Sequence, residues 1–113
     1  AFVFEPSAAM SARVSVIIPA LNEEADLPAT LELLARLQPP PLEIFVVDGG
    51  STDRTAEVAR AGGARVISAA RGRANQLNEG AKEARGDVLL FLHADTHPPV
   101  DAVARVEGAL EDP

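Results

Sequence analysis

Four short apolar runs, each followed by a helical pattern, predict an α/β protein built on a doubly wound, mostly parallel sheet with helices on both faces. The runs are apolar in succession rather than alternating with polar residues, as expected of strands covered on both sides. Each of the longer runs also ends abruptly in polar or turn-forming residues, at the strand ends where open α/β sheets bind ligands. Right-handed crossovers and the common winding give the strand order 3-2-1-4, with strands one and four side by side.

The elements follow in order. Val14 to Pro19, VSVIIP, reads as strand one, closed by a proline that cannot continue a central ladder. After the polar turn Asn22-Glu23-Glu24, Leu27, Leu31, Leu34 and Leu37 recur at helical spacing, with a cap near Asp26 and Pro28 in the first turn. Pro39, Pro40 and Pro41 end that helix. Strand two is Glu43 to Asp48, and Gly49-Gly50 turns the chain into a second helix from about Asp53 to Ala61, closed by Gly62 and Gly63. Arg65 to Ser68 is a short third strand. Ala74, Leu77, Ala81 and Ala84 form a narrow stripe of small residues on helix three, which Gly86 ends. Val88 to Leu92, VLLFL, is the most apolar run and is expected at the centre of the sheet. A final helix spans roughly Val100 to Leu110, with Val103, Val106 and Leu110 on one side.

Composition narrows the functional classes. Hydrophobic residues at 47% and charged residues at 24% describe a globular chain able to bury one core, and no apolar run approaches the ~20 residues of a membrane span. A net charge of -7 argues against nucleic acid as a partner, since phosphate-backbone binding needs a positive field. The absence of cysteine excludes disulfides and thiolate metal sites and, with the charge, fits a cytoplasmic protein. Residues 1–12 read as an N-terminal extension. Met10, the only methionine, immediately precedes the patterned sequence and suits a natural start.

Polar residues gather at the predicted ligand edge: Asn22 and Glu23 after strand one, Asp48 after strand two, and His93, Asp95 and His97 after strand four. Acids at three strand ends are hard to explain by packing, although Asp48 also suits a turn cap. Asp95 is an oxygen ligand of the kind that Mg²⁺ or Mn²⁺ takes. Arg71 and Arg73 form a local positive pair in an acidic protein, and guanidinium forks fit phosphate oxygens; as loop residues they would also be at home in solvent. If the chain stays extended from His93 to His97, His93, Asp95 and His97 face one side and imidazole joins carboxylate around a metal. In the simpler alternative, only Asp95 ligates.

The ordered motifs PALNEE, VVDGGSTD, RGRANQLNEGA and VLLFLHADT resemble the nucleotide-sugar-binding half of family 2 glycosyltransferases of the GT-A, Rossmann-like fold. The similarity runs from Val14 to about Leu110, and the HAD variant is similar to a branch of small bacterial transferases. It implies that residues 13–113 bind a nucleotide-diphospho-sugar donor. Pro19, Ala20 and Glu23 would line the nucleotide pocket and Asp48 would accept a hydrogen bond from the base. Asp95 matches the last acid of the DxD motif, which holds a divalent metal (Mn or Mg) and the diphosphate. Asn78 and Gly80 also match, with a packing role expected on helix three.

The resemblance further implies an unidentified acceptor, peripheral contact with a membrane if that acceptor is a lipid, and an inverting transfer. Oligomerisation is compatible with it. Two departures stand out: His93 occupies the first DxD position, and Gly49 the place of a second acid after strand two. The family pattern continues beyond Pro113 into an acceptor half that supplies the general base, so no catalytic residue is named. Two alternatives are a non-catalytic or truncated nucleotide-binding module and a sugar-phosphate nucleotidyltransferase. The latter class usually carries a basic glycine-rich loop where this chain has PALNEE.

Overall fold

The computed structural model describes residues 13–111, so the expected N-terminal extension and Met10 lie outside the described residues. Strands β1 (Val14–Ala20), β2 (Glu43–Asp48), β3 (Arg65–Ser68) and β4 (Val88–Phe91) alternate with helices α1 (Leu27–Ala35), α2 (Thr55–Ala61), α3 (Arg73–Glu83) and α4 (Ala102–Glu111). All pairings are parallel and the order is β3-β2-β1-β4, as the winding rules predict.

The period-two alternation of the strands divides the core in two. Val14, Val16, Ile18, Ala20 and Val46 face α1, α2 and α4, packing with Leu27, Leu31, Leu34, Ala59 and Val103. On the other face Ile17, Phe45 and Val47 meet Leu77, Ala81 and Ala84 around α3. The predicted leucine stripe is therefore the buried face of α1 and its C-terminal extension, with Leu27, Leu31, Leu34 and Leu37 each at most 1% exposed. The small-residue stripe lets α3 lie close on the sheet. Gly80 is its contact point, since a Cβ there would fall 2.5 Å from Ile17 Cγ2 and 3.1 Å from Val47 Cγ2.

Ser15 is fully buried in the middle of an apolar strand, and its bonds explain why. Its hydroxyl donates to Glu43 Oε2 at 2.6 Å and accepts from the Gly86 amide at 2.9 Å, while the Arg85 amide donates to the same carboxylate oxygen at 2.6 Å. Burial alone would raise the Glu43 pKa. The Arg85 amide, the Ser15 hydroxyl and the charges of Arg65 and Arg85 outweigh it and hold the carboxyl below its ordinary value.

Several local expectations are corrected. Among the described residues strand β4 is the outermost strand on its side of the sheet and not a central one, and Leu89 and Phe91 are 36% and 47% exposed. β1 takes the central place because it is the strand from which the chain winds outward in both directions. Helix α2 begins at Thr55, since Asp53 is spent in the turn before it, accepting from the Thr55 amide at 2.9 Å and from the Thr55 hydroxyl. Only the second glycine after α2 is left-handed, with φ +92° at Gly63 and −84° at Gly62. Helix α3 ends at Glu83, and the backbone is already extended at the capping residue Ala84, ahead of Gly86. Asn78 is exposed and has no packing role on the sheet.

Candidate functional site

A cleft of about 340 Å³ opens at the carboxyl ends of β1 and β4 and is walled by the first turn of α3. It collects six of the sequence-predicted residues, Pro19, Ala20, Glu23, Arg73, His93 and Asp95, together with Leu21, Gln76 and Ala94. Two predicted residues stand apart. Asp48 sits beside Ala20 in the β1–β2 register and Arg71 is exposed in the loop before α3, and neither lines the cleft.

The loops after β1 and β2 are sewn together by side chain to backbone bonds. Asn22, held at φ +53°, accepts from the Thr52 amide at 2.8 Å and the Asp53 amide at 3.3 Å, and its own amide donates to Ser51 Oγ at 2.8 Å. Asparagine tolerates the left-handed region better than most residues, which suits it to this place. Ser51 Oγ in turn donates to Asp48 Oδ1 at 2.5 Å, and the Ser51 amide reaches the same oxygen at 3.1 Å. Asp48 thus caps its turn through Oδ1, and among the described residues no hydrogen bond engages Oδ2. The Glu23 amide donates to Thr55 Oγ1 at 2.9 Å, which fixes where Glu23 leaves the strand end.

Glu23 stands in an acidic neighbourhood. Burial raises its pKa above the ordinary 4.5, and the charges of Asp26, Asp95 and Asp53 raise it further. The folded chain therefore holds the Glu23 proton more tightly than the unfolded chain does. That contribution to stability is complete below pH 4.5 and is lost as pH rises through the raised value, leaving a charged, strained Glu23 at neutrality. Glu23→Gln is expected to raise the melting temperature at pH 7 and to leave it unchanged at pH 4. An unchanged or lower melting temperature at pH 7 would show that the repulsion is fully screened.

Strand β4 leads into a closed turn. The Thr96 amide donates to the His93 carbonyl at 3.0 Å, and the His93 amide donates to Thr96 Oγ1 at 3.0 Å. The backbone is therefore closed into a turn from His93 to Thr96, and the condition of an extended run from His93 to His97 is not met. Among the described residues no group of three or more His, Asp or Glu side chains converges to hold a metal. His93 turns instead toward α3, where Arg73 Nη2 lies 3.2 Å from its Nε2. The turn is pinned from below by Thr30, a buried α1 residue whose hydroxyl donates to the Ala94 carbonyl at 2.6 Å. Asp95, exposed at the tip, faces the cleft from a fixed base.

Sequence reasoning missed Thr30 and Gln76. Thr30 left a usable signal, being a hydroxyl beside the buried leucine stripe. Gln76 lay inside the quoted RGRANQLNEGA motif without a role.

A parallel sheet in this order, with a polar cleft over its carboxyl edge, defines a doubly wound α/β domain with a ligand site at its switch point. The chain belongs to glycosyl transferase family 2, whose sequence profile matches residues 15–113. It is 41% identical over 100 residues to a PGL/p-HBAD biosynthesis glycosyltransferase of Mycobacterium bovis, covering 81% of this chain and 39% of that protein. It is 35% identical over 104 residues to an undecaprenyl-phosphate 4-deoxy-4-formamido-L-arabinose transferase of Pseudomonas paraeruginosa, covering 82% of this chain and 31% of that protein.

Among solved structures, glucosyl-3-phosphoglycerate synthase of Mycobacterium tuberculosis superposes with a TM-score of 0.75 at 30% identity, over 94% of this chain and 42% of that one. The same enzyme in complex with Mn²⁺, UDP and phosphoglyceric acid gives a TM-score of 0.71 at 32% identity, over 83% of this chain and 37% of that one. The chain thus spans between about three tenths and two fifths of the length of these relatives. No helix among the described residues is long and apolar enough to cross a membrane.

Proposed function

We propose that residues 13–113 form the donor-binding part of a glycosyltransferase that takes a sugar from a nucleotide-diphospho-sugar. The observation that carries this reading is the cleft at the carboxyl ends of β1 and β4, where an arginine at a helix start faces an exposed aspartate in a chain of this family. Pro19, Ala20 and Glu23 line the nucleotide pocket. Asp48, with Oδ1 committed to Ser51, offers Oδ2 to a donor on the base. Arg73 meets the diphosphate from the α3 side, and Arg71 approaches it from the preceding loop.

A divalent cation fits the residues present. Mg²⁺ and Mn²⁺ sites commonly take one or two carboxylates plus substrate phosphates and waters, and Asp95 supplies an exposed carboxylate beside the acid-strained Glu23. When bound, the ion would neutralise charge on the departing diphosphate. Asp95 would be its protein contact. His93, first expected as a second ligand, is reassigned to Arg73, because a guanidinium on Nε2 both occupies that nitrogen and repels a cation. Direct attack by the acceptor would invert the anomeric centre. We assign no acceptor and no general base to the described residues. The net charge of -7 and the cysteine-free composition favour a cytoplasmic setting.

Calorimetric titration with UDP, and with GDP in parallel, in the presence and absence of Mn²⁺ tests the reading. Saturable binding that tightens with the metal is expected for one of the two, and its absence for both would refute donor binding. Asp48→Ala is expected to weaken binding by about 1–3 kcal/mol through loss of a buried hydrogen bond. Ser51→Ala, which removes the hydroxyl but keeps the carboxylate, is the control for the turn. Equal affinity in the Asp48 variant would remove Asp48 from the base contact.

A further inference from the structure

We propose that Gln76 is a positioning residue for Arg73, locking the first turn of α3 to the ends of β1 and β2 so that the guanidinium meets the diphosphate from a fixed place. The inference rests on the donor-binding reading above and assigns the residue that organises it. Gln76 is only 5% exposed, and its amide joins three segments of the chain. Nε2 donates to the Ala20 carbonyl at 3.0 Å and to the Val47 carbonyl at 2.9 Å, while Oε1 accepts from the Gly72 amide at 3.3 Å. Both N–H groups of the amide are used, so the side chain has one orientation and carries its helix with it.

The neighbours are built around that amide. A Cβ at Gly49 would fall 2.8 Å from Gln76 Cδ and Oε1, so the glycine that replaces a second acid after β2 is the residue that makes room for it. Gly72, the residue before α3, sits at φ +136° and ψ 127°, a conformation open in practice only to glycine, and this conformation presents its amide to Oε1. Arg73 follows directly and lies three positions before Gln76 on the helix, so the two are neighbours across one turn. Among the described residues no carboxylate pairs with Arg73. Its one hydrogen bond is to His93 Nε2 in the cleft, which leaves its charge available to an anion.

A purely architectural amide would lower stability without choosing between ligands. A positioning amide acts through Arg73, and a double-mutant cycle separates the two. Gln76→Met, Arg73→Ala and the double variant are titrated with UDP and Mn²⁺ (or GDP, if that is the nucleotide bound) well below their melting temperatures. The corresponding nucleoside, which carries no phosphate, is titrated by NMR. Gln76→Met is expected to weaken nucleotide binding about tenfold, to leave nucleoside binding unchanged, and to add no further loss once Arg73 is alanine.

Gly72→Ala disturbs the bond from the Gly72 amide to Gln76 Oε1 while leaving the Gln76 bonds to Ala20 and Val47 in place, and is expected to reproduce this pattern, which keeps the test intact if Gln76→Met does not fold. Losses that add across the cycle, or an equal loss for nucleoside and nucleotide, would overturn the role of Gln76 while leaving donor binding standing. Failure of the unsubstituted chain to bind either nucleotide would instead remove the donor-binding reading, and this assignment with it.

Discussion

Phe45→Ala is expected to cost about 3–5 kcal/mol of folding stability, a large share of the roughly 5–15 kcal/mol available to a domain of this size. Among the described residues Phe45, Ile17 and Val47 are the fully buried hydrophobic side chains between the sheet and α3. The opposite face holds a far larger cluster, so no reserve of packing stands behind Phe45. Its ring also lies 5.1 Å from the Arg65 guanidinium carbon, a cation–π contact at the sheet edge. Because α3 carries Arg73 and Gln76, loosening this contact disturbs the cleft as well as the core. Urea denaturation followed by circular dichroism checks the cost, with Phe45→Leu as the milder companion. A loss below about 1 kcal/mol would mean that α3 is held chiefly by its polar bonds at Gly72, Ala20 and Val47.

Asp95→Asn is expected to abolish the tightening of nucleotide binding by Mn²⁺, lowering affinity in the presence of the metal about 10- to 100-fold, to the metal-free level. The substitution keeps the size of the side chain and removes the charge. Asp95 is exposed on a turn whose backbone is fixed by His93, Thr96 and Thr30, so the fold is expected to tolerate it. A chelator titration on the native chain provides the matching measurement and is expected to reach the same floor. If the variant retains its response to Mn²⁺, the metal is held elsewhere, and Glu23 becomes the carboxylate to test.

The strand order, the parallel sense and the presence of helices on both faces were legible because they follow from local patterns plus one global rule. Apolar runs such as Val14–Ile18 mark strands buried on both sides, the leucine spacing from Leu27 marks one helix face, and right-handed crossovers permit few windings. Of the six residues that meet in the cleft, Glu23, His93 and Asp95 were legible for the same reason, while Pro19 and Ala20 came from the family resemblance and Arg73 from its pairing with Arg71 in an acidic chain. Strand ends can be read from the sequence, and a parallel sheet brings its carboxyl ends to one edge.

What only the tertiary structure decided involves partners far apart in the chain. The bonds from Asn22 to Ser51, Thr52 and Asp53, from Thr30 to Ala94 and from Gln76 to Ala20 and Val47 join residues that no periodicity relates. Apolarity alone did not place β4, because a hydrophobic residue signals only that burial is favourable, while the winding decides the order of the described strands. The turn from His93 to Thr96 closes through a bond from the His93 amide to the Thr96 hydroxyl that competes with extension, and among the described residues no group of three metal-ligating side chains forms there. The sequence by itself thus determined the frame and named six of the residues that line the cleft, while Gln76 joined them, and Asp48 and Arg71 stayed outside it, only in the folded chain. The direction in which each side chain points was left to hydrogen bonds that form only once the frame is closed.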